Sequence, residues 1–341
     1  MSRNVLSLAQ IDALLARYEP QLRKAFLQAI ADIANNADFE RIVDALNRGD
    51  IESAMRAVHL DAAAFRPLDR AVTETFAGGG VAATDGLPTL HDPSGSRLVI
   101  RFDVRNPVAE AWLQNHSAEL VREIVDDQRQ AIRQTLTTGM ERGANPRSVA
   151  LDLVGRRGAS GNRVGGVIGL TSSQADWVRA YRDELAADNP VAALERKLRD
   201  ARFDSTVRRY AKLGEPIPAD LREKMVTSYK RRALRFRAEA LARTEAMAAL
   251  GESRQQAMQQ AIASGALREE LITKIWRSAR DKRVRDTHAA MDGQVVQLNE
   301  KFRSPSGALL DFPGDPSAPA GETVNCRCTF DTRVDFLAGI N

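Results

Sequence analysis

The spacing of apolar residues along the first hundred positions predicts a helical opening segment. In residues 6–75 apolar side chains recur every three or four positions, which places them on one face of a helix. Residues 76–96 are rich in glycine, proline and small polar side chains, so we expect a loop or a mobile linker there. In residues 97–107 apolar and polar side chains alternate, which predicts a short strand that ends at Asn106-Pro107.

Helical periodicity returns in the middle of the chain. Pro107 opens a predicted helix that runs to about Thr138, and Thr171 is placed to cap another. Between these helices, residues 155–169 contain repeated glycines and three arginines. This segment lacks the spacing of a phosphate-binding loop, so we interpret it as a surface loop or a partner-contact arm.

The last hundred residues change character. A helix over residues 240–264 precedes a pattern of strand, short helix, Asp-Gly turn and strand in residues 272–298. The segment TVNCRCTFDTRV near the end alternates as a strand does. We therefore predict a mainly α protein with a small α+β C-terminal domain, organised as residues 1–105, 106–240 and 241–341.

Composition supports a helical protein, and charge draws attention to one segment. Aromatic residues make up 5% of the chain, and the formal net charge is only +4. Residues 196–237, however, hold fourteen Lys or Arg against five acidic residues. Such a basic stripe could bind double-stranded DNA without reading its sequence, could contact a protein, or could simply be solvated. The predicted DNA contacts are Arg208, Arg209, Lys230, Arg231, Arg232 and Arg235.

The sequence shows no signal for export, a membrane or a disulfide framework. Neither a secretory leader nor a run of about 18 apolar residues is present. The chain has two cysteines, Cys326 and Cys328, which are only two positions apart. We expect synthesis in a reducing cytoplasm and no membrane partner.

The C-terminal region contains several short motifs in a characteristic order and spacing. The motif residues are Arg243, Glu245, Trp276, Asp281, Arg285, His288, Asp315 and the series Asn325-Cys326-Arg327-Cys328. In this order and spacing they resemble the phage Mu F-like family of minor head proteins, and similar segments extend the resemblance over about residues 102–330.

The resemblance implies a structural, non-enzymatic protein of the virion. Members of this family are expected at or near the portal vertex inside the head, where they support head assembly and DNA packaging or ejection. The implied partners are the portal protein, major capsid or scaffold proteins, and double-stranded DNA. The alternative is a capsid-carried enzyme or DNA-modifying factor that uses His288, Cys326 and Cys328.

Three arrangements of the terminal cluster are open from the sequence. His288, Cys326, Cys328 and Asp281 could hold a structural zinc ion, if Asp281, Arg285 and His288 share a helical face. A Cys326–Cys328 disulfide would be strained. Otherwise the cysteines pack as small buried residues among hydrogen bonds from His288 and Arg285.

Two motif residues also have simple structural interpretations. Arg243 lies four residues after Glu239, so the two could form an ion pair along one helix. Trp276 is expected to anchor a hydrophobic core. As a nucleophile, Cys326 or Cys328 would need His288 as base and Asp281 or Asp315 to orient it.

Overall fold

A computed structural model of the chain describes residues 2–91, 94–159 and 161–335. Asp92 and Pro93 of the first predicted loop, Ser160 of the glycine-rich loop, and the outermost residues of the first and last predicted regions (Met1 and 336–341) lie outside the described residues. In chain order, the α-helices of the described residues are α1 (Leu8–Asn36), α2 (Phe39–Asn47), α3 (Ile51–Arg56), α4 (Arg66–Asp85), α5 (Pro107–Glu141), α6 (Pro146–Val154), α7 (Ser172–Ala186), α8 (Asp204–Leu213), α9 (Ala219–Ala263), α10 (Asp286–Ala290) and α11 (Ala320–Thr323).

The strands are short, and the longest belong to a single sheet. They are β1 (Ser2–Asn4), β2 (Leu90–His91), β3 (Arg97–Leu98), β4 (Arg156–Arg157), β5 (Arg163–Val164), β6 (Ile272–Arg277), β7 (Val295–Gln297), β8 (Phe302–Arg303), β9 (Leu309–Leu310) and β10 (Thr329–Asp335). The sheet has the order β1-β10-β6-β7, and its neighbouring strands are antiparallel. The predicted fold class, mainly α with a small α+β C-terminal part, is confirmed.

The described residues form two compact units, each discontinuous in sequence. Unit 1 comprises Met1–Lys24, Leu68–Ser117 and Glu239–Asn341, and unit 2 comprises Ala25–Pro67 and Ala118–Ala238. The three consecutive regions defined from the sequence stay a prediction. Among the helices of the described residues, none combines the length and apolarity that a membrane span requires.

The prediction of a loop from residue 76 was wrong for its first half, because α4 continues to Asp85. Three glycines inside α4 allow close packing within unit 1. A Cβ at Gly79 would lie 2.3 Å from Ser253 Oγ, and one at Gly80 would lie 2.1 Å from a ring carbon of Phe102. Close contact with α9 and Phe102 therefore outweighs the low helix propensity of glycine.

The strand predicted for residues 97–107 was also largely wrong. Only Arg97–Leu98 forms a strand, which pairs with Leu90–His91. The alternation instead buries Phe102, whose ring centroid lies 5.6 Å from that of Phe76 on α4. Helices α5 and α7 are confirmed, and α7 begins with a capping box between Thr171 and Gln174.

Each unit has its own core. In unit 2 the rings of Tyr181 and Tyr229 stack with centroids 4.5 Å apart, among aliphatic side chains of α7, α8 and α9. In unit 1 the fully buried Trp276 of β6 packs edge-on against Phe302, with centroids 5.2 Å apart. Trp276 is thus a core residue, as expected, and it lies beside the cluster described next.

Candidate functional site

Three of the predicted zinc ligands converge in the core of unit 1. His288 comes from α10, and Cys326 and Cys328 come from the segment between α11 and β10. The His288 Nδ1 atom lies 3.5 Å from Cys326 Sγ and 3.6 Å from Cys328 Sγ. All three side chains are buried, and their potential ligand atoms lie within 4.8 Å of one another. Both cysteines are free, so the disulfide is not formed.

The cysteine segment is not a strand, contrary to the sequence prediction. β10 begins only at Thr329, and Asn325 adopts a left-handed conformation with φ of 56°. The backbone N–H of Asn325 donates to Thr244 Oγ1 at 3.1 Å, and Arg243 Nε donates to the Cys326 carbonyl at 3.2 Å. Side chains of α9 therefore hold the turn that points both sulfurs towards His288.

A carboxylate that sequence reasoning missed orients the imidazole. Glu322 Oε2 lies 2.7 Å from His288 Nε2. Ser306 donates to the other oxygen of Glu322 at 2.6 Å, and Ser304 donates to the same oxygen at 3.2 Å. Burial would raise the pKa of Glu322, but the hydrogen bonds from Ser306 and His288 outweigh it and lower that pKa. The carboxylate thus binds the Nε2 side of the ring, and the Nδ1 side faces the two sulfurs.

Asp281, the fourth predicted ligand, is not brought to this group. The helix begins only at Asp286, because Asp281 accepts the backbone N–H of Arg283 at 2.8 Å in a local turn and Arg280 has φ of 51°. The shared helical face of Asp281, Arg285 and His288 is therefore absent. The Asp281 carboxylate instead pairs with Arg327, and Arg285 donates to the Val324 carbonyl at 2.5 Å.

The remaining motif residues are structural contacts within unit 1. Glu245 bonds His116 Nε2 at 2.7 Å. Asp315 accepts the backbone N–H groups of Asp311 and Ser317 at 2.7 and 2.8 Å. The predicted ion pair of Glu239 with Arg243 was wrong, because Glu239 lies 3.9 Å from Arg23 and Arg243 pairs with Glu19.

The cluster has three buried donor atoms that could hold a cation. The hydrogen bond from Cys326 lowers the pKa of Cys328 to about 5, and the same bond raises the pKa of Cys326. Cys328 is only 2% exposed and His288 only 1%, so a substrate has no path to the sulfur. Neither Asp281 nor Asp315 contacts the imidazole, and the predicted nucleophilic triad is not assembled.

The basic segment of unit 2 is more extensively neutralised than its sequence indicates. Lys230 is 3% exposed and pairs with Asp152, so its ammonium cannot reach a phosphate. The prediction that Lys230 contacts DNA was therefore wrong. Arg232 lies 3.3 Å from Asp200, which is also bonded by Arg202. Asp152 lies outside residues 196–237 and folds against this segment, whereas Asp200 belongs to the segment itself.

Part of the predicted basic surface remains exposed. Arg231 and Arg235 lie one turn apart on α9, and Arg208 and Arg209 lie on α8. Within the part of the chain that the structure describes, Arg209, Arg231 and Arg235 have no carboxylate partner. Arg208 makes only a long contact of 3.9 Å with Asp204. We define these four arginines as the exposed basic patch.

The region that contains the cluster is similar to a family of phage proteins. Residues 217–331 match the family model described as Phage Mu protein F like protein, which confirms the resemblance predicted from the sequence for this region. The resemblance upstream of residue 217 stays a prediction.

Two curated relatives match part of the chain. Minor head protein GP7 of Bacillus phage SPP1 is 33% identical over 94 residues, which are 28% of this chain and 29% of GP7. Uncharacterized protein YqbB of Bacillus subtilis (strain 168) is 34% identical over 104 residues, 30% of this chain and 32% of YqbB. The chain therefore spans less than a third of each relative's length. No solved structure matches the chain with significance.

Proposed function

We propose that this protein is a minor head protein of a bacteriophage that works by binding and not by catalysis. The observation that carries the proposal is the match of residues 217–331 to the Mu F-like family, together with the similarity to minor head protein GP7. The burial of His288, Cys326 and Cys328 supports the non-enzymatic role, since no exposed nucleophile is formed at that cluster.

Within this role, we propose a location inside the head near the portal vertex. The portal protein and the major capsid or scaffold proteins would be its partners in head assembly and in DNA packaging or ejection. This part of the proposal rests on the resemblance of the C-terminal motifs to the family. The protein would be made in the host cytoplasm and then enter the virion.

The test is quantitative mass spectrometry of purified, nuclease-treated particles of the phage that encodes the chain. We expect a few copies per particle, in constant ratio to the portal protein and far below the major capsid protein. Particles assembled without the portal should lose the chain. Absence of the chain from intact wild-type particles would refute the virion role, and retention in portal-less particles would refute the portal location.

We also propose non-specific contact with double-stranded DNA through the exposed basic patch. Arginines spaced along a helix neutralise phosphates without base recognition. Arg231 and Arg235 are exposed on one face of α9, so they are placed to contact successive phosphates. The interaction should be independent of sequence and should weaken steeply with salt.

Fluorescence anisotropy with two unrelated duplexes of equal length tests this contact. The Arg231→Gln/Arg235→Gln variant should bind several-fold more weakly, and its slope of log affinity against log salt should fall by about 1–2. The control Arg48→Gln/Arg66→Gln removes two exposed arginines elsewhere in unit 2 and should bind as wild type does. Equal losses in both variants, or preference for one duplex, would contradict the proposal.

A further inference from the structure

We propose that His288, Cys326 and Cys328 bind one zinc ion as a structural centre of unit 1, with Glu322 holding the imidazole in place. The proposal is independent of the role in the phage head. It rests on the distances between the donor atoms, the orientation of the imidazole and the hydrogen-bonding capacity of the group.

The first argument is geometric. A tetrahedral zinc ion, with Zn–S bonds of about 2.3 Å and Zn–N bonds of about 2.0–2.1 Å, separates a ligating sulfur from a ligating nitrogen by about 3.5–3.6 Å. His288 Nδ1 lies 3.5 Å from Cys326 Sγ and 3.6 Å from Cys328 Sγ. Both nitrogen–sulfur distances thus match those of a zinc coordination tetrahedron, and all three donor atoms lie within 4.8 Å of one another.

The second argument concerns the imidazole. Histidines that ligate metals usually donate their other ring N–H to a carboxylate, which fixes the tautomer and the ring orientation. Glu322 is that carboxylate, 2.7 Å from Nε2, and it is itself fixed by Ser304 and Ser306. The Nδ1 atom is therefore directed at the sulfurs before any metal binds.

The third argument weighs the packing alternative. The Nδ1 atom can make a full hydrogen bond with only one of the two sulfurs, whichever partner carries the proton. Both sulfurs nevertheless lie at nearly the same distance from Nδ1. A cation bound to both sulfurs and to Nδ1 would satisfy all three atoms together.

The spacing of the cysteines also fits once the backbone is known. On a flat strand, the sulfurs of a C-x-C pair lie too far apart for easy chelation. Here the turn at Asn325, with φ of 56°, precedes the pair, and strand β10 begins only at Thr329. The turn brings both sulfurs to within 3.6 Å of Nδ1. The three protein ligands leave a fourth coordination position for water or another group.

A bound zinc ion would also hold short elements of unit 1 together. The ion would link α10, the cysteine segment and, through Glu322, the short helix α11. These elements are short: α10 has five residues and α11 has four. Elements of this length bury too little surface to fix their own positions, and a metal provides the missing constraint.

The primary experiment measures zinc in the full-length, tag-free protein purified without chelators, by inductively coupled plasma mass spectrometry. We expect about one zinc per chain in wild type, and loss of that zinc in the Cys326→Ser/Cys328→Ser variant. The control His116→Gln removes another histidine of unit 1 that bonds a glutamate and should retain the zinc. Metal-free, folded wild type, or zinc retained by the double serine variant, would overturn the proposal.

A second measurement tests the proposal if the Cys326→Ser/Cys328→Ser variant fails to fold. Wild type reconstituted with Co²⁺ should show the ligand-field bands of a tetrahedral ion and a charge-transfer band from thiolate, and Glu322→Gln should bind the ion about 10–100-fold more weakly. A Co²⁺ spectrum without thiolate charge transfer would refute ligation by the cysteines. Unchanged affinity in Glu322→Gln would refute the orienting role.

Discussion

Replacing Asp152 by asparagine should destabilise unit 2 far more than replacing Lys230 by methionine. Lys230 is 3% exposed, and its Nζ atom lies 3.1 Å from the Asp152 backbone carbonyl and pairs with the Asp152 carboxylate. Arg182 donates to both oxygens of the same carboxylate at 2.6 and 2.9 Å. Asp152 thus neutralises two cations, and Asp152→Asn leaves a buried ammonium without a counter-charge.

The magnitudes follow from this asymmetry. Breaking a buried ion pair from one side typically costs about 3–5 kcal/mol, because the remaining charge stays buried. Lys230→Met removes the buried charge, keeps a similar volume and leaves Asp152 paired with Arg182, so it should cost less than about 1.5 kcal/mol. The exposed control Asp126→Asn, whose carboxylate lies 3.1 Å from Arg129, should cost at most about 1 kcal/mol.

Urea unfolding followed by circular dichroism measures these differences, and the duplex binding assay is run on the same variants. Lys230→Met should bind DNA as wild type does, because its ammonium is buried. The reasoning is refuted if Asp152→Asn costs no more than Asp126→Asn, or if Lys230→Met costs as much as Asp152→Asn. A loss of DNA affinity in Lys230→Met comparable to that of Arg231→Gln/Arg235→Gln would refute the correction of the basic surface.

Two further predictions concern packing and pH. Gly79→Ala should destabilise unit 1 by about 1–3 kcal/mol despite the higher helix propensity of alanine, because its Cβ would lie 2.3 Å from the buried Ser253 Oγ. The control is Gly321→Ala, whose Cβ meets nothing within 4 Å. It should be neutral or slightly stabilising in the same unfolding assay. The second prediction starts from burial, which would raise the pKa of Asp152, but its lysine and arginine partners outweigh burial and lower that pKa. The stability that Asp152 contributes is therefore present above its unfolded pKa of about 3.9, and it is lost as pH falls through that value towards the lower folded pKa. The difference in free energy of unfolding between wild type and Asp152→Asn should thus narrow between about pH 5 and pH 2. A difference that stays constant over this range would contradict the assignment.

The helices with strong periodicity could be predicted, but the glycines of α4 could not. Three consecutive glycines indicate a loop when only local preference is considered. Their helical conformation depends on α9 and on Phe102, which are distant in sequence. The strand β1 escaped prediction for a similar reason, since three residues carry no periodicity and acquire their structure only by pairing with β10.

The candidate metal site was predictable in its residue types but not in its geometry. Histidine and a C-x-C pair indicate metal chemistry from composition alone. Asp281 was chosen because a helix was assumed to extend over it, and the local turn shows otherwise. Glu322 lies in a proline- and glycine-rich segment without periodicity, and its only sequence signal is a lone glutamate shortly before the cysteines.

The basic segment shows a similar limit for predictions that rest on a count of charges. A count of charges along the chain treats every lysine as available, whereas burial and pairing are tertiary properties. Asp152 precedes Lys230 by 78 positions, so the sequence gives no reason to pair them. The exposure of Arg231 and Arg235 needs only the helix to be correct, and their contact with DNA stays a prediction.

The Arg243-Thr244-Glu245 motif shows how adjacent residues can report tertiary structure. Consecutive side chains on a helix point about 100° apart, so a run of three can contact more than one neighbouring element. Arg243 and Thr244 bond the turn that carries the cysteines, whereas Glu245 bonds His116 on α5. The motif therefore marks the level of α9 at which the C-terminal segment and α5 both contact it within unit 1. The same contacts position Cys326 for the proposed zinc ion. The helix motif and the N-C-R-C series therefore contribute to one site, although about 80 positions separate them in the sequence.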